Sequence, residues 1–163
     1  MDKLSAEQRH KNMAAIHSKD TKPEMIVRKG LWSRGFRYRL NSPKLPGHPD
    51  LVLRKYRTCI FVNGCFWHCH EGCCKIPQTN REFWVAKIRR NQERDIEEQK
   101  KLAEMGWHSI IIWECELKPQ KREATLMSLV YTLNKIWLEE HAVVGKPYPE
   151  ITEEDGLLKA AEE

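Results

Sequence analysis

Four residues carry the most specific chemistry in this chain: Cys65, His70 and Cys73, gathered in one short loop, and Cys115, far downstream. Together they complete the soft, four-donor set that zinc prefers, and a site with four protein ligands is closed and structural. A bound ion would tie the loop 64–77, which has little hydrophobic content of its own, to the rest of the domain. The plainer reading, unlinked buried thiols, fits Cys59, which falls on a strand. Cys69 and Cys74 are ambiguous neighbours. Adjacent residues point apart, so one of 73 and 74 ligates, and the Cys-His-Glu-Gly-Cys spacing favours Cys73.

A second group is hard rather than soft. Asp50 follows Pro49 and immediately precedes an apolar run, which puts its carboxylate at the lip of a sheet, where oxygen-liganded cations are held; a plain turn residue is the alternative. Glu24 is the N3 residue of a capping box, a role that accounts for it without any metal. Asp95 shares a helical face with Trp84 and Ile88, and an inward carboxylate needs a partner. His68 is the natural one: a carboxylate on one imidazole nitrogen leaves the other free as a base. The alternative for His68 is a spare donor in the zinc loop.

Phe66, Trp67 and Trp84 flank this polar loop and a basic helix start. Core packing is the ordinary fate of aromatics, but in that setting wedging between DNA bases is the sharper reading. Lys87, Arg89, Arg90 and Arg94 follow Trp84 on the same helix, charge suited to phosphates or simply to water.

These groups need elements to position them. Ser5 to Gln8 is a capping box opening a basic helix to about Ile16, and Thr21 to Glu24 is a second one, opening a helix to near Gly35 with Ile26, Val27, Leu31 and Trp32 facing the core. Three short strands follow, Phe36–Leu40, Leu51–Arg54 and Thr58–Val62, separated by dense turn chemistry that implies a meander. Thr79 to Glu82 caps a long helix to about Met105, with Gly106 as its stop. Trp107–Trp113, with three consecutive isoleucines, reads as a central strand buried on both faces. Leu126, Leu129, Val130, Leu133, Ile136 and Trp137 mark one stripe of a last helix over 121–140.

The order of elements predicts a mixed α/β single domain with a restriction-endonuclease-like core, helix, β-meander, helix, strand, bearing the zinc site. With 163 residues, one core is what the chain can build. Residues 1–19 read as a basic, DNA-contacting helix, 20–146 as the nuclease domain and 147–163 as an acidic, mobile tail. Residues 1–58 hold 14 Lys and Arg against 5 Asp and Glu, the remainder 14 against 18, so a polyanion would sit on the N-terminal half. No run is long and apolar enough for a membrane helix and the start lacks a secretory pattern, so the expected location is the cytoplasm, where thiols bind metals rather than form disulfides.

The string Ile60 to His68, with Leu45 to Asp50 before it and Trp113 to Cys115 after it, resembles the very-short-patch-repair (Vsr) DNA mismatch endonucleases. The likeness extends to Lys11–Ile16, Glu82–Trp84 and Asn91–Asp95. It implies magnesium on Asp50 and the backbone carbonyl of Val62, with Glu24 holding a water of its coordination sphere. His68 then activates the attacking water and Asp95 orients it. Phe66, Trp67 and Trp84 enter the duplex from the major groove and Met13 and Ile16 from the minor groove, while Lys87 and Asn91 contact the mispaired bases. The implied reaction is a nick 5′ to the T of a T·G mismatch, the product of 5-methylcytosine deamination. The implied protein is a bacterial, nucleoid-associated monomer acting on double-stranded DNA, with mismatch-repair proteins as candidate partners. Val62 and Asn63 depart from the family's best-known member, which has threonine and histidine there and a zinc loop one residue shorter. Two rival readings share these residues: a non-catalytic zinc module that only binds DNA, and a restriction-type nuclease cutting both strands.

Overall fold

Ser5 accepts from the Gln8 backbone N–H while the Gln8 side chain accepts from the Ser5 N–H, and this box starts α1, Ala6–Ala14. The computed structural model describes residues 5–142, and the expected acidic tail lies outside them. No residue of α1 is buried, as its basic, weakly apolar sequence requires. It ends two residues before the expected Ile16. Thr21 caps α2, Lys22–Ser33, with Pro23 in the first turn. The reciprocal half of this box differs from expectation: Glu24 Oε2 accepts from the N–H of Asp20 rather than that of Thr21.

Three strands follow as a meander. β1 (Arg39–Leu40) pairs antiparallel with β2 (Leu51–Leu53), which pairs antiparallel with β3 (Thr58–Asn63). The expected first strand, Phe36–Leu40, keeps only its last two residues in the ladder. β2 bends at Arg54 into a 3₁₀ turn, Arg54–Tyr56, so Phe36 and Arg37 have no strand residue opposite them. α3, Arg81–Glu104, then crosses to β4, His108–Trp113, which lies parallel to β3 in register from Thr58↔His108 to Asn63↔Trp113. Thr79 does not cap α3; the helix opens at Asn80 in the left-handed region, with no side-chain cap. Gly106 does stop it, at φ +76° beneath the Arg57 guanidinium. After a second 3₁₀ turn, Glu114–Leu117, α4 spans Arg122–Glu140.

Alternation along β2 and β3 sorts the core into two layers. Leu51, Leu53, Ile60 and Ile112 face α2 and α4, meeting Val27, Leu31, Leu129 and Leu133. Val52 and Cys59 face the other way, against Leu102 of α3, with Phe61 and Trp107 alongside. Leu133 is fully buried, and truncating such a leucine to alanine costs about 2–5 kcal/mol. α2 and α4 approach closely at Gly30, where an added Cβ would lie 2.7 Å from the Leu126 side chain.

Two expectations are corrected here. β4 is an edge strand, not a central one, in the order β1-β2-β3-β4. Its isoleucine run arises because helices cover both faces of a strand whose outer edge is open; only Ile112 is buried. Trp32, expected in the core, is 55% exposed, and the Arg37 guanidinium lies 3.9 Å from its ring centroid.

Candidate active site and metal centre

The meander brings Asp50 to the point where β3 leaves the sheet. Its backbone carbonyl accepts from Asn41 and its Oδ2 accepts from the Val62 N–H at 2.7 Å, so both ends of the residue are held. The second carboxylate oxygen has no hydrogen-bond partner among the described residues. Burial pushes the Asp50 carboxyl up to about 6, against the Val62 bond that favours its ionised form. Glu24, in the first turn of α2, is 3% exposed. Its Oε1 accepts from the Thr21 hydroxyl and its Oε2 from Arg28 at 3.0 Å. Both carboxylates line one open cleft of ≈ 800 Å³, together with Val62, Asn63, His68 and Asp95. The chemistry of these donors suits a hard cation: one half-buried carboxylate, Asp50, with a free oxygen and the buried carboxylate of Glu24 lining the same cleft.

On a wall of the same cleft, His68 Nδ1 is hydrogen-bonded to Asp95 Oδ2, both side chains about one-fifth exposed. Nε2 is thereby left for the cleft. The backbone before it is clamped to α3: Asn91 Nδ2 donates to the Trp67 carbonyl at 3.0 Å and Gln92 Nε2 to the His68 carbonyl at 3.2 Å. One helical turn thus fixes the imidazole by its ring and by its peptide. Sequence reasoning missed Gln92 and Arg28, although helical spacing held both signals. Gln92 is three residues before Asp95, and Arg28 four after Glu24.

Phe66, Trp67 and Trp84 do not join the core. They pack on one another, with Phe66 5.2 Å from each tryptophan and the tryptophans 6.1 Å apart, centroid to centroid. Lys87 Nζ sits 5.2 Å from the Trp67 ring centroid and 5.6 Å from that of Trp84. A half-exposed platform with a cation over it is the arrangement that stacks on bases. Ile16 reaches the rim of the cleft, whereas Met13 is exposed on α1 and does not line it.

Cys65, His70, Cys73 and Cys115 converge behind this wall, their ligating atoms all within 4.8 Å of one another. Crowding is what makes the set suit a cation. Burial, and then the neighbouring thiols of Cys65 and Cys73, push Cys115 up to about 12, a penalty that a soft metal ion reverses by binding the thiolates. Burial likewise pushes the isolated Cys59 up to about 12. The His70 ring stacks on Trp113, centroids 4.3 Å apart, and Trp113 meets His68 edge-on at 6.4 Å, so one indole separates the metal cluster from the imidazole of the cleft. Cys69 and Cys74 form a disulfide, contrary to the expectation of reduced thiols throughout; the turn from His70 to Cys73 brings their Cα atoms to 4.8 Å, within bridging range.

The family model described as DNA mismatch endonuclease Vsr matches residues 1–75. The type II nicking enzyme V.NmeAIP of Neisseria meningitidis is 52% identical over 108 residues, 65% of this chain and 76% of that protein. The DNA mismatch endonuclease Vsr of Escherichia coli is 43% identical over 116 residues, 70% of this chain and 74% of that protein. The type II nicking enzyme V.HpaIIP of Haemophilus parainfluenzae is 36% identical over 136 residues, 80% of this chain and 96% of that protein. Among the described residues, no helix is long and apolar enough to cross a membrane.

Proposed function

Since the chain belongs to the Vsr family of DNA mismatch endonucleases, we propose that it nicks one strand of a duplex 5′ to the T of a T·G mismatch, using magnesium at Asp50 and zinc at the cysteine cluster. The observation that carries this reading is the meeting of Asp50, Glu24, His68 and Asp95 in one cleft, with the Phe66, Trp67 and Trp84 platform beside it. A binding module needs the platform but not the paired imidazole and carboxylate.

The chemistry divides among the residues. His68 Nε2 accepts the proton of the attacking water, and Asp95 holds the ring in the tautomer that leaves Nε2 free and then stabilises the imidazolium. Asp50, with the Val62 carbonyl, is the anchor for a hard cation, and Glu24, held rigid by Arg28, orients water beside it. Magnesium there supplies charge stabilisation for the phosphate as negative charge builds. Trp67 and its neighbours insert where pairing is already weak, with Lys87, Asn91, Met13 and Ile16 as further contacts to the lesion. Asn91 would exchange its bond to the Trp67 carbonyl for a base edge. In this division of labour residues 20–146 form the nuclease and residues 1–19 are a DNA arm.

The deciding experiment compares duplexes that differ only in carrying T·G or C·G, with and without magnesium. The expected result is a single nick on the T strand of the T·G duplex with the metal present. Trp67→Ala should chiefly erode the preference for the mismatch; a uniform loss on both duplexes would return the platform to a packing role. A double-strand break would favour the restriction-type reading, and binding without any cut the zinc module.

A pH dependence follows from Asp50. A cation needs the carboxylate, and the folded carboxyl stays protonated up to about 6, so magnesium affinity should weaken as pH falls through that value. Isothermal titration on either side of it checks this, and equal affinity at both would remove Asp50 from the metal site.

A further inference from the structure

Beside the cysteine cluster the surface opens into a second groove, ≈ 610 Å³ in volume, bordered by Lys22, Lys75, Lys118 and Arg122. Pro23 and Glu114 line both this groove and the Asp50 cleft, so the two adjoin. Lys22, Lys75 and Lys118 are exposed and come from three distant parts of the chain: the first turn of α2, the end of the metal loop and the segment before α4. None of the three makes an ion pair among the described residues. That sets them apart from Arg89, Lys101 and Lys135, each paired with a glutamate one turn away on its own helix. Arg122 differs again, since its Nε donates to the Leu117 carbonyl at 3.2 Å and stiffens the groove wall. The one carboxylate there, Glu114, has an oxygen engaged by the Cys65 N–H at 3.0 Å.

We propose that this groove is a track for the DNA sugar-phosphate backbone, seating phosphates of the duplex arm that runs out of the Asp50 cleft past the metal cluster. The proposal rests on the reading that DNA occupies that cleft. Duplex DNA carries a charge about every 1.7 Å, and exposed lysines without ion pairs around a groove that adjoins the cleft are the complement of a backbone leaving it. Phosphate contacts of this kind fix register and carry no sequence information. The competing explanation is that the lysines only offset the negative charge of the three thiolates when metal is bound.

The test measures binding of a matched duplex by fluorescence anisotropy across a salt series, without divalent cation, so that no nicking enters. Each of Lys22→Ala, Lys75→Ala and Lys118→Ala should lower the slope of log K against log salt by about 0.9, and the triple variant by about three times that. Affinity should fall equally on matched and T·G duplexes, while single-turnover nicking at saturating enzyme stays at the wild-type rate. Arginine at all three positions should restore the slope, and Lys135→Ala, which removes a paired lysine on α4, should leave it unchanged. Unchanged slopes in the alanine variants, beside a normal wild-type slope, would overturn the track alone. Weaker binding accompanied by loss of bound metal would also overturn it, in favour of the charge-offset explanation. A wild-type protein that binds no duplex would overturn the cleft reading itself, and the track with it.

Discussion

Asp50→Ala should reduce single-turnover nicking of a T·G duplex to background while leaving duplex affinity within a few-fold of wild type. In the proposed reading the carboxylate anchors a hard cation, and the charge stabilisation lost with it matters most in the transition state, so the rate suffers and binding does not. The same substitution should not weaken the fold. A carboxyl raised to about 6 by burial contributes stability at low pH that is lost as pH rises through that value, so at neutral pH without metal the ionised group is a burden. Removing it therefore leaves the melting temperature equal or higher, an outcome in which activity and stability move apart. His68→Ala should cost on the order of 10²–10⁴ in rate as a lost general base, and Asp95→Asn less, because the amide keeps the shape and loses only the charge. Wild-type cutting that survives Asp50→Ala would remove the site from this cleft.

Cys115→Ser should release the metal from the cysteine cluster and lower the melting temperature, and chelation of the wild type should do the same. Of the four donors, Cys115 alone comes from outside the loop, at the turn that follows β4, so it carries the attachment of the loop to the sheet. Structural zinc supplies about 10–16 kcal/mol in small peptides; even a third of that, at roughly 2–4 °C per kcal/mol for a domain of this size, is a fall on the order of 10 °C. The control is the disulfide pair: Cys69→Ser with Cys74→Ser should keep one equivalent of zinc, since neither belongs to the converging set. Metal analysis of reduced protein decides. Absence of zinc in the wild type, or a melting temperature indifferent to chelators, would dissolve the site.

The convergence of Cys65, His70, Cys73 and Cys115 was legible because spacing and residue type are both restrictive: three in one loop and one at a strand end have few other uses. The meeting of His68 with Asp95 was legible too, from the helical phase that sets Asp95 on one face with Trp84 and Ile88. What stayed hidden depended on neighbours rather than on local pattern. An isoleucine run describes faces, and helices cover both faces of β4; whether another strand lies beyond its edge is a matter of topology. Trp32 has core spacing, but the Arg37 guanidinium covers its ring at the surface instead. β1 is short because its partner turns away at Arg54, a cause that lies in another segment. Thr79 has the residue type of a cap, yet the chain turns at Asn80, which tolerates the left-handed region.

The parallel pairing of β3 with β4 has a bearing on how the molecule assembles. Its partners lie on the order of 50 residues apart, and so large a loop closure is costly and slow. The loop 64–77 and the start of α3 are local and can form during synthesis before β4 exists, with Cys65, His70 and Cys73 already in place. Cys115 and Trp113, the indole that stands between the metal cluster and His68, arrive only when β4 has crossed back and docked. A nascent or half-folded chain therefore holds the Phe66, Trp67 and Trp84 platform and the basic helices before the fourth member of the cysteine cluster is in place. The topology makes closure of the cysteine cluster a late event in folding.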